Sequence, residues 1–238
     1  MNLERIQEPV KDLLDQTDKI IEDSIQSSIE LIAEMNQFSP VLKGKKIRST
    51  LFFLLAKICR VPEEKLPDAA AAIEIFHLSS LVHDDIIDNS DLRRGFKTLN
   101  AQFGNHVSVL GGDFLFINSL ILMEKLRDKA FMKIMLDAAK AMVEGQILEA
   151  ANTFNYDISE DTYTGIISRK TSALFGAVSQ MVSVLEQNNE QTGRDFYEFG
   201  LNFGAMFQIS DDLLDIFSEN SGKEQFNDLK EGKVTLPY

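Results

Sequence analysis

The sequence predicts an all-α protein, and three observations carry that expectation. Apolar residues recur at three- and four-residue spacing along most of the chain. No two alternating runs flank an Asn-Gly type of turn, so no hairpin is expected. Only five prolines and thirteen glycines punctuate the 238 residues, which leaves long stretches uninterrupted. Several segments are apolar around their whole circumference, as helices are when they stand inside a bundle. The expected architecture is a single domain over residues 1–238, an all-α helical bundle.

The elements follow in order. Val10, Leu13, Leu14, Ile20, Ile21, Ile25, Ile29 and Ile32 form one amphipathic stripe, closed by Ser39-Pro40. A second, very apolar helix is expected over 48–59 and is broken at Val61-Pro62. A long helix starts near Pro67-Asp68, runs through AAAAIEIFHLSSLVHDDIID and ends at Asn89-Ser90. The polar stretch DLRRGFKTLNAQFGN reads as a loop with a short helix. Further helices are expected at 106–126, 129–152, 161–186 and 192–217, followed by a loop-like tail rich in Gly, Asn and charge.

Composition narrows the function. A net charge of −13 opposes binding to nucleic acid or to an anionic membrane surface. Cys59 is the single cysteine, so no intrachain disulfide is expected. The N-terminus is charged throughout, unlike a signal peptide, and the apolar run LFFLLA is cut by Lys57, too short to span a bilayer. The expectation is a soluble, cytoplasmic protein without membrane insertion.

Two stretches stand out. LVHDDIIDNSDLRRG places Asp84, Asp85 and Asp88 at the end of an apolar helix, and FQISDDLLDIF repeats the DDxxD spacing as Asp211, Asp212 and Asp215. Positions i, i+1 and i+4 project in roughly one direction on a helix. One DDxxD is as consistent with an exposed acidic patch as with a site. With 19 aspartates in the chain, roughly 0.1 chance copies are expected, so two argue against coincidence. Unpaired carboxylates in apolar helices are costly unless a cation neutralises them. With no cysteine cluster and only His77, His83 and His106 as nitrogen donors, the cation expected is Mg²⁺, which binds through a few carboxylates plus substrate phosphates. Two facing carboxylate clusters would then grip a diphosphate.

Positive charge for a diphosphate is present in four places: Lys43, Lys45, Lys46 and Arg48; Arg93 and Arg94; Arg169 and Lys170 with Thr171; and Lys223, Lys230 and Lys233. Each cluster alone reads as a solvated surface patch. Gly44 and Gly95 beside the first two favour close backbone approach to a ligand. His77 lies two turns before Asp84 on the same helix face, and Gln208 one turn before Asp211. A lone His on an apolar helix is also an ordinary core residue.

The combination resembles the trans-isoprenyl diphosphate synthases, or polyprenyl synthetases. The matching pieces, in the family's order, are GKKIR at 44–48, HLSSLVHDDIIDNSDLRRG at 77–95, GGDFL at 111–115, KT at 170–171, FQISDDLLD at 207–215 and GK…DL…GKVTLP at 222–237. The resemblance implies antiparallel helices around a deep central cavity, a homodimer, and condensation of an allylic diphosphate with isopentenyl diphosphate. It implies Mg²⁺, three ions with substrate bound, held by Asp84, Asp85, Asp88, Asp211, Asp212 and Asp215. Arg93, Lys170, Thr171, Gln208, Lys223 and Lys233 match positions that bind the allylic diphosphate. Lys45, Arg48, His77 and Arg94 match those that bind isopentenyl diphosphate, and Asp228 a residue close to the second metal site. Asp91 matches no metal role.

The sequence departs from the family pattern in two places. The family's GGKRxRP reads KGKKIRS here, with Ser49 for proline. Family members continue past TLP with several helices, whereas this sequence ends at Tyr238, so a chain short at the C-terminus is expected. Members that stop at short products carry bulky aromatics four and five residues before the first aspartate. Here those positions are Ser80 and Ser79, about 6–7.5 Å along the helix axis from Asp84. The expected consequence is an open tail tunnel and a product in the hexaprenyl to nonaprenyl range, which Ser79→Phe should shorten. Phe114, Phe116, Met123 and Met142 are candidates for the tunnel floor that core packing explains equally well. A class I terpene cyclase would mix Asn, Ser or Thr and Glu in its second motif, a non-catalytic synthase subunit would lose an aspartate motif, and a di-iron protein needs a second copy of the Glu74–His77 spacing.

Overall fold

Helices carry nearly all the regular structure in the computed structural model, which describes residues 2–37, 44–93, 95–185, 190–217 and 226–236. Contacts divide the chain into two compact units, Met1–Met132 and Lys133–Tyr238.

The first unit runs α1 (Leu3–Gln7), a 3₁₀ turn (Glu8–Val10), α2 (Lys11–Ser24), α3 (Glu30–Gln37), α4 (Ile47–Ile58), a second 3₁₀ turn (Glu63–Lys65), α5 (Leu66–Ile87), the strands β1 (Leu92–Arg93) and β2 (Phe96–Lys97), and α6 (Leu99–Lys125). The α5 helix is its centre. Pro67 and Asp68 occupy its first turn, where a missing N–H costs nothing and a negative charge faces the positive end of the helix dipole. The run Ala69–Ala72 and Ile73 are fully buried, since small side chains let neighbours close in from every side. Against it pack α2, α4 and α6, with Phe76 and Phe116 meeting ring to ring at 6.0 Å.

Three features depart from the sequence expectation. The first apolar stripe is two helices: α2 ends at Ser24 with Ile25 as its C-cap, α3 begins at Glu30, and Asn36 Nδ2 donates to the Ile25 carbonyl at 2.5 Å, tying the return. Where a loop was expected, β1 and β2 form a minimal antiparallel hairpin, Leu92 opposite Lys97 and Arg93 opposite Phe96. Gly95 in its turn has φ +80°, a conformation glycine adopts without strain. The helix expected from 106 already starts at Leu99, capped by Thr98 Oγ1, and bends at Gly104 (φ 78°, ψ 159°). Polar residues ahead of that bend hid the start. Among the described residues, α6 is also long and apolar enough to cross a membrane by length and composition.

The second unit is built from α7 (Lys129–Ala151), whose first turn precedes it, α8 (Glu160–Ile167), a π-helical turn (Ser168–Ser172), α9 (Ala173–Leu185), α10 (Glu190–Phe217) and the single turn α11 (Asn227–Lys230). Ser159 caps α8 by accepting from the Thr162 amide at 3.1 Å. The helix expected over 161–186 is thus α8 and α9 joined through the π turn. Most of α9 is buried, and Phe175 meets Phe203 and Phe207 of α10 at 5.3 and 5.5 Å.

Candidate active site

In the first unit, Asp84 and Asp85 lie in the last turn of α5 and Asp88 is its C-cap, its amide donating to the Asp84 carbonyl at 2.8 Å. The negative end of a helix dipole is the wrong place for three carboxylates, so the cluster calls for a cation. The three are not equivalent. Asp84 and Asp88 are half-buried, whereas Asp85 is 5% exposed. Its Oδ1 accepts from Arg93 Nε at 2.8 Å and pairs with Nη2 at 2.7 Å. Burial pushes the Asp85 carboxyl above the usual range, Arg93 draws it back down, and Asp88 adds a smaller upward push. The hairpin therefore does a specific job: it carries Arg93 back to the acid that α5 buries.

The basic residues of this unit gather upstream. Arg48 Nη1 lies 2.9 Å from His77 Nε2, joining α4 to the face of α5 that leads to Asp84. Gln7 Nε2 donates to the Lys45 carbonyl and to Thr50 Oγ1, both at 2.9 Å, and so holds the turn before α4; Lys45 itself is exposed. Lys46 takes a left-handed conformation and pairs with Asp18. Ser49, which stands where the family pattern has proline, uses both of its donors: its amide (3.1 Å) and its hydroxyl (2.6 Å) reach the buried Glu74. Glu74 thereby satisfies an N–H that the start of α4 would leave without a partner.

In the second unit, Asp211, Asp212 and Asp215 lie near the end of α10. Again the middle acid is the buried one, at 2% exposure, and both its oxygens are engaged. Tyr163 Oη donates to Oδ2 at 2.5 Å and Gln208 Nε2 to Oδ1 at 2.8 Å. Thr171 Oγ1 donates in turn to Gln208 Oε1 at 2.7 Å. Burial raises the Asp212 carboxyl; the bonds from Tyr163 and Gln208 oppose that, and the charges of Asp211 and Glu149 reinforce it. Tyr163 is held firmly in its protonated form, by burial first and then by Asp212.

Lys170 and Thr171 sit in the π turn, a local departure that recurs at functional sites. Lys170 Nζ pairs with Glu149 Oε2 of α7 at 2.5 Å. A Cβ on Gly145 would stand 2.5 Å from the Lys170 amide nitrogen, so glycine there lets α7 and the π turn approach. The residues 226–236 close on the same motif: the Phe226 amide donates to the Asp215 carbonyl (3.1 Å) and the Asp228 amide to Asp215 Oδ2 (3.3 Å). Burial, then the charges of Asp215 and Asp212, push Asp228 up to about 7, with Lys233 pulling the other way. Lys233 Nζ pairs with Glu231 at 2.7 Å.

Some expectations move. Ser79 is 3% exposed and its hydroxyl donates to the Gly112 carbonyl of α6 at 2.9 Å, so it is packed between helices. Ser80 is half-buried and bonds to the His77 carbonyl of its own helix. Met123 is buried and Phe114 lines an apolar pocket with Met35, Leu78, Val82 and Leu110. Arg94, Lys223 and Lys43 lie outside the described residues. Sequence reasoning missed Glu149 and Tyr163; a tyrosine and an acid with no apolar stripe to explain them were the available signals.

Among the described residues, no three His, Cys, Asp or Glu side chains form a closed metal cage. Mg²⁺ takes few protein ligands and completes its shell with water and phosphate oxygens.

Comparison with known proteins gives a consistent result. Residues 29–238 match the family model described as polyprenyl synthetase. The chain is 35% identical over 239 residues to the octaprenyl diphosphate synthase of Escherichia coli (strain K12), covering 100% of this chain and 74% of that protein. It is 36% identical over 225 residues to an all-trans-nonaprenyl-diphosphate synthase (geranyl-diphosphate specific) of Rhodobacter capsulatus, covering 92% and 68%. The crystal structure of a Caulobacter crescentus polyprenyl synthase, complexed with calcium and isoprenyl diphosphate, superposes with a TM-score of 0.93 at 30% identity, over 99% of this chain and 73% of that one.

Proposed function

The chain belongs to the polyprenyl synthetase family, and from that premise we propose that it condenses isopentenyl diphosphate with an allylic diphosphate (geranyl, farnesyl or geranylgeranyl) to give a longer all-trans polyprenyl diphosphate. It is a trans-prenyltransferase of isoprenoid biosynthesis. One observation carries the residue assignments: each DDxxD motif is joined by hydrogen bonds to its own diphosphate-binding candidates, Arg93 in the first unit and Gln208 with Thr171 in the second.

Asp84 and Asp88, and in the second motif Asp211 and Asp215, are the carboxylates we assign to Mg²⁺, which when bound neutralises diphosphate charge and stabilises the leaving group. Asp85 and Asp212 have their carboxylates engaged by Arg93 and by Tyr163 with Gln208. They belong to the same proposed set of six acids, and these bonds fix the turns that present it. Lys170, Thr171, Gln208, Lys223 and Lys233 take the allylic diphosphate, together with the N–H groups of Arg93 not given to Asp85. Lys45, Arg48, His77 and Arg94 take isopentenyl diphosphate. The allylic C–O bond breaks with its electron pair leaving on diphosphate, the alkene of isopentenyl diphosphate bonds to the resulting carbocation, and the released proton passes to the departing diphosphate. No His or Glu base is required, and a water-poor pocket protects the cation.

The single catalytic domain, the three-ion complement, the homodimer and a soluble, cytoplasmic location belong to the same proposal. Exposed Leu110, Ile117 and Ile121 of α6 lie on one face and supply an apolar surface for a second copy. Product length is assigned to the hexaprenyl to nonaprenyl range, with Ser80 as the tunnel residue to probe. Incubation with labelled isopentenyl diphosphate, Mg²⁺ and each allylic primer in turn, followed by product sizing, tests the reading. Incorporation with at least one primer is expected; none from folded protein would overturn it.

A further inference from the structure

Two residues of α5, spaced i and i+4 and therefore on one stripe of the helix, come down on the same residue of α6. Ser79 Oγ donates to the Gly112 carbonyl at 2.9 Å. His83 lays its ring where a Gly112 side chain would be: a Cβ there would stand 2.3 Å from Nε2, 2.6 Å from Cδ2 and 2.9 Å from Cε1. His83 Nε2 is also 3.3 Å from the Val109 carbonyl and 3.4 Å from Asp113 Oδ1. Val109, Gly112 and Asp113 are one turn of α6, so the imidazole is a knob in a hole whose floor is the missing side chain.

We propose that Gly112 is a positioning residue for the first aspartate motif, acting through His83 and Ser79. The inference rests on the assignment of Asp84 and Asp88 to Mg²⁺. A helix seated at two points one turn apart can neither rotate nor slide without losing both. Asp84 follows His83 by one residue, about 100° around the helix, and Asp88 continues the Asp84 stripe. On the other side, Asp85 is held by Arg93. The last turn of α5 is thus fixed from two directions, and the stripe between these two contacts carries Asp84 and Asp88. Glycine at 112 leaves the space that the His83 ring fills; a side chain there would displace the ring and loosen one of the two contacts that seat the last turn of α5.

The test compares Gly112→Ala, His83→Ala and the double variant in the full-length chain. Two readouts are used: Mn²⁺ titration followed by electron paramagnetic resonance in the presence of inorganic pyrophosphate, and the Mg²⁺ dependence of isopentenyl incorporation. Each single variant should weaken Mn²⁺ binding about tenfold with its circular dichroism unchanged. The double variant should be no worse than about tenfold, because both changes empty the same seat. Wild-type Mn²⁺ affinity in a folded His83→Ala protein, or a double variant weakened by the product of the two single effects, would overturn the proposal. His83→Ala keeps the test decisive if Gly112→Ala does not fold. A wild-type protein that binds Mn²⁺ and pyrophosphate but transfers no prenyl group would instead sink the functional reading and leave the seat standing.

Discussion

Tyr163 donates its hydroxyl to Asp212 Oδ2 at 2.5 Å, and that contact ends a chain of side-chain hydrogen bonds running from Thr171 through Gln208 to the buried acid of the second motif. A hydrogen bond to a charged group contributes about 1.5–3 kcal/mol, so removing one partner of Asp212 should matter at the site. Tyr163→Phe is expected to lower kcat/KM about 10- to 100-fold, with a raised KM for the allylic diphosphate and little change for isopentenyl diphosphate. Steady-state kinetics with each substrate varied in turn checks this; equal effects on both substrates would contradict it.

The two kinds of aspartate should separate by experiment. Asp84→Ala and Asp211→Ala should each nearly abolish turnover, by more than about 10³-fold, while leaving thermal stability close to wild type. Asp85→Ala should lower stability as well, because it removes a buried acid and strips Arg93 of its partner. Thermal melts alongside turnover decide the point; a melt for Asp85→Ala identical to that for Asp84→Ala would count against the division.

Asp228 provides a pH signature. Its folded pKa of about 7 lies above the ordinary aspartate value near 4, so the folded state holds a proton that the unfolded chain has released. As pH rises from about 4 to 7, this group therefore subtracts stability from the metal-free protein, and above 7 the cost is constant. Asp228→Asn abolishes the cost. Its melting temperature relative to wild type, measured in chelator, should be several degrees more favourable at pH 8 than at pH 4. A difference that does not vary with pH would refute the assignment.

Product length should respond at Ser80 more cleanly than at Ser79. Ser79 is fastened to α6, and a phenylalanine there would force the helices apart. Ser80 is half-buried and bonded only within its own helix turn. Ser80→Phe should give shorter polyprenyl products with the same primer preference, read by reversed-phase chromatography after dephosphorylation. An unchanged product would remove Ser80 from the tunnel.

The apolar face of α6 makes the oligomer testable. Ile117→Lys places a charge among exposed Leu110, Ile117 and Ile121. Sedimentation equilibrium should show a dimer for the wild type and a monomer for the variant. A wild-type monomer would remove the dimer from the proposal.

The sequence by itself determined what is local. Helical periodicity located most helices, because the alternation of apolar and polar residues is a direct record of which side is covered. The DDxxD spacing placed three carboxylates on one side of a turn, because 3.6 residues per turn leaves no other outcome. Tertiary packing set which acid of each triplet is the deeply buried one. Asp85 is buried because the β1–β2 hairpin returns Arg93 to it, and Asp212 because Tyr163 and Gln208 close over it. The same holds for Ser49 with Glu74 and for Lys170 with Glu149, partners 25 and 21 residues apart. The start of α6 and the break after α2 were hidden for a related reason: a cap at Thr98 and a tie from Asn36 to Ile25 set them. Periodicity reports the average side that is covered, while a single hydrogen bond between distant residues leaves no periodic trace and is fixed only when packing brings the two elements together.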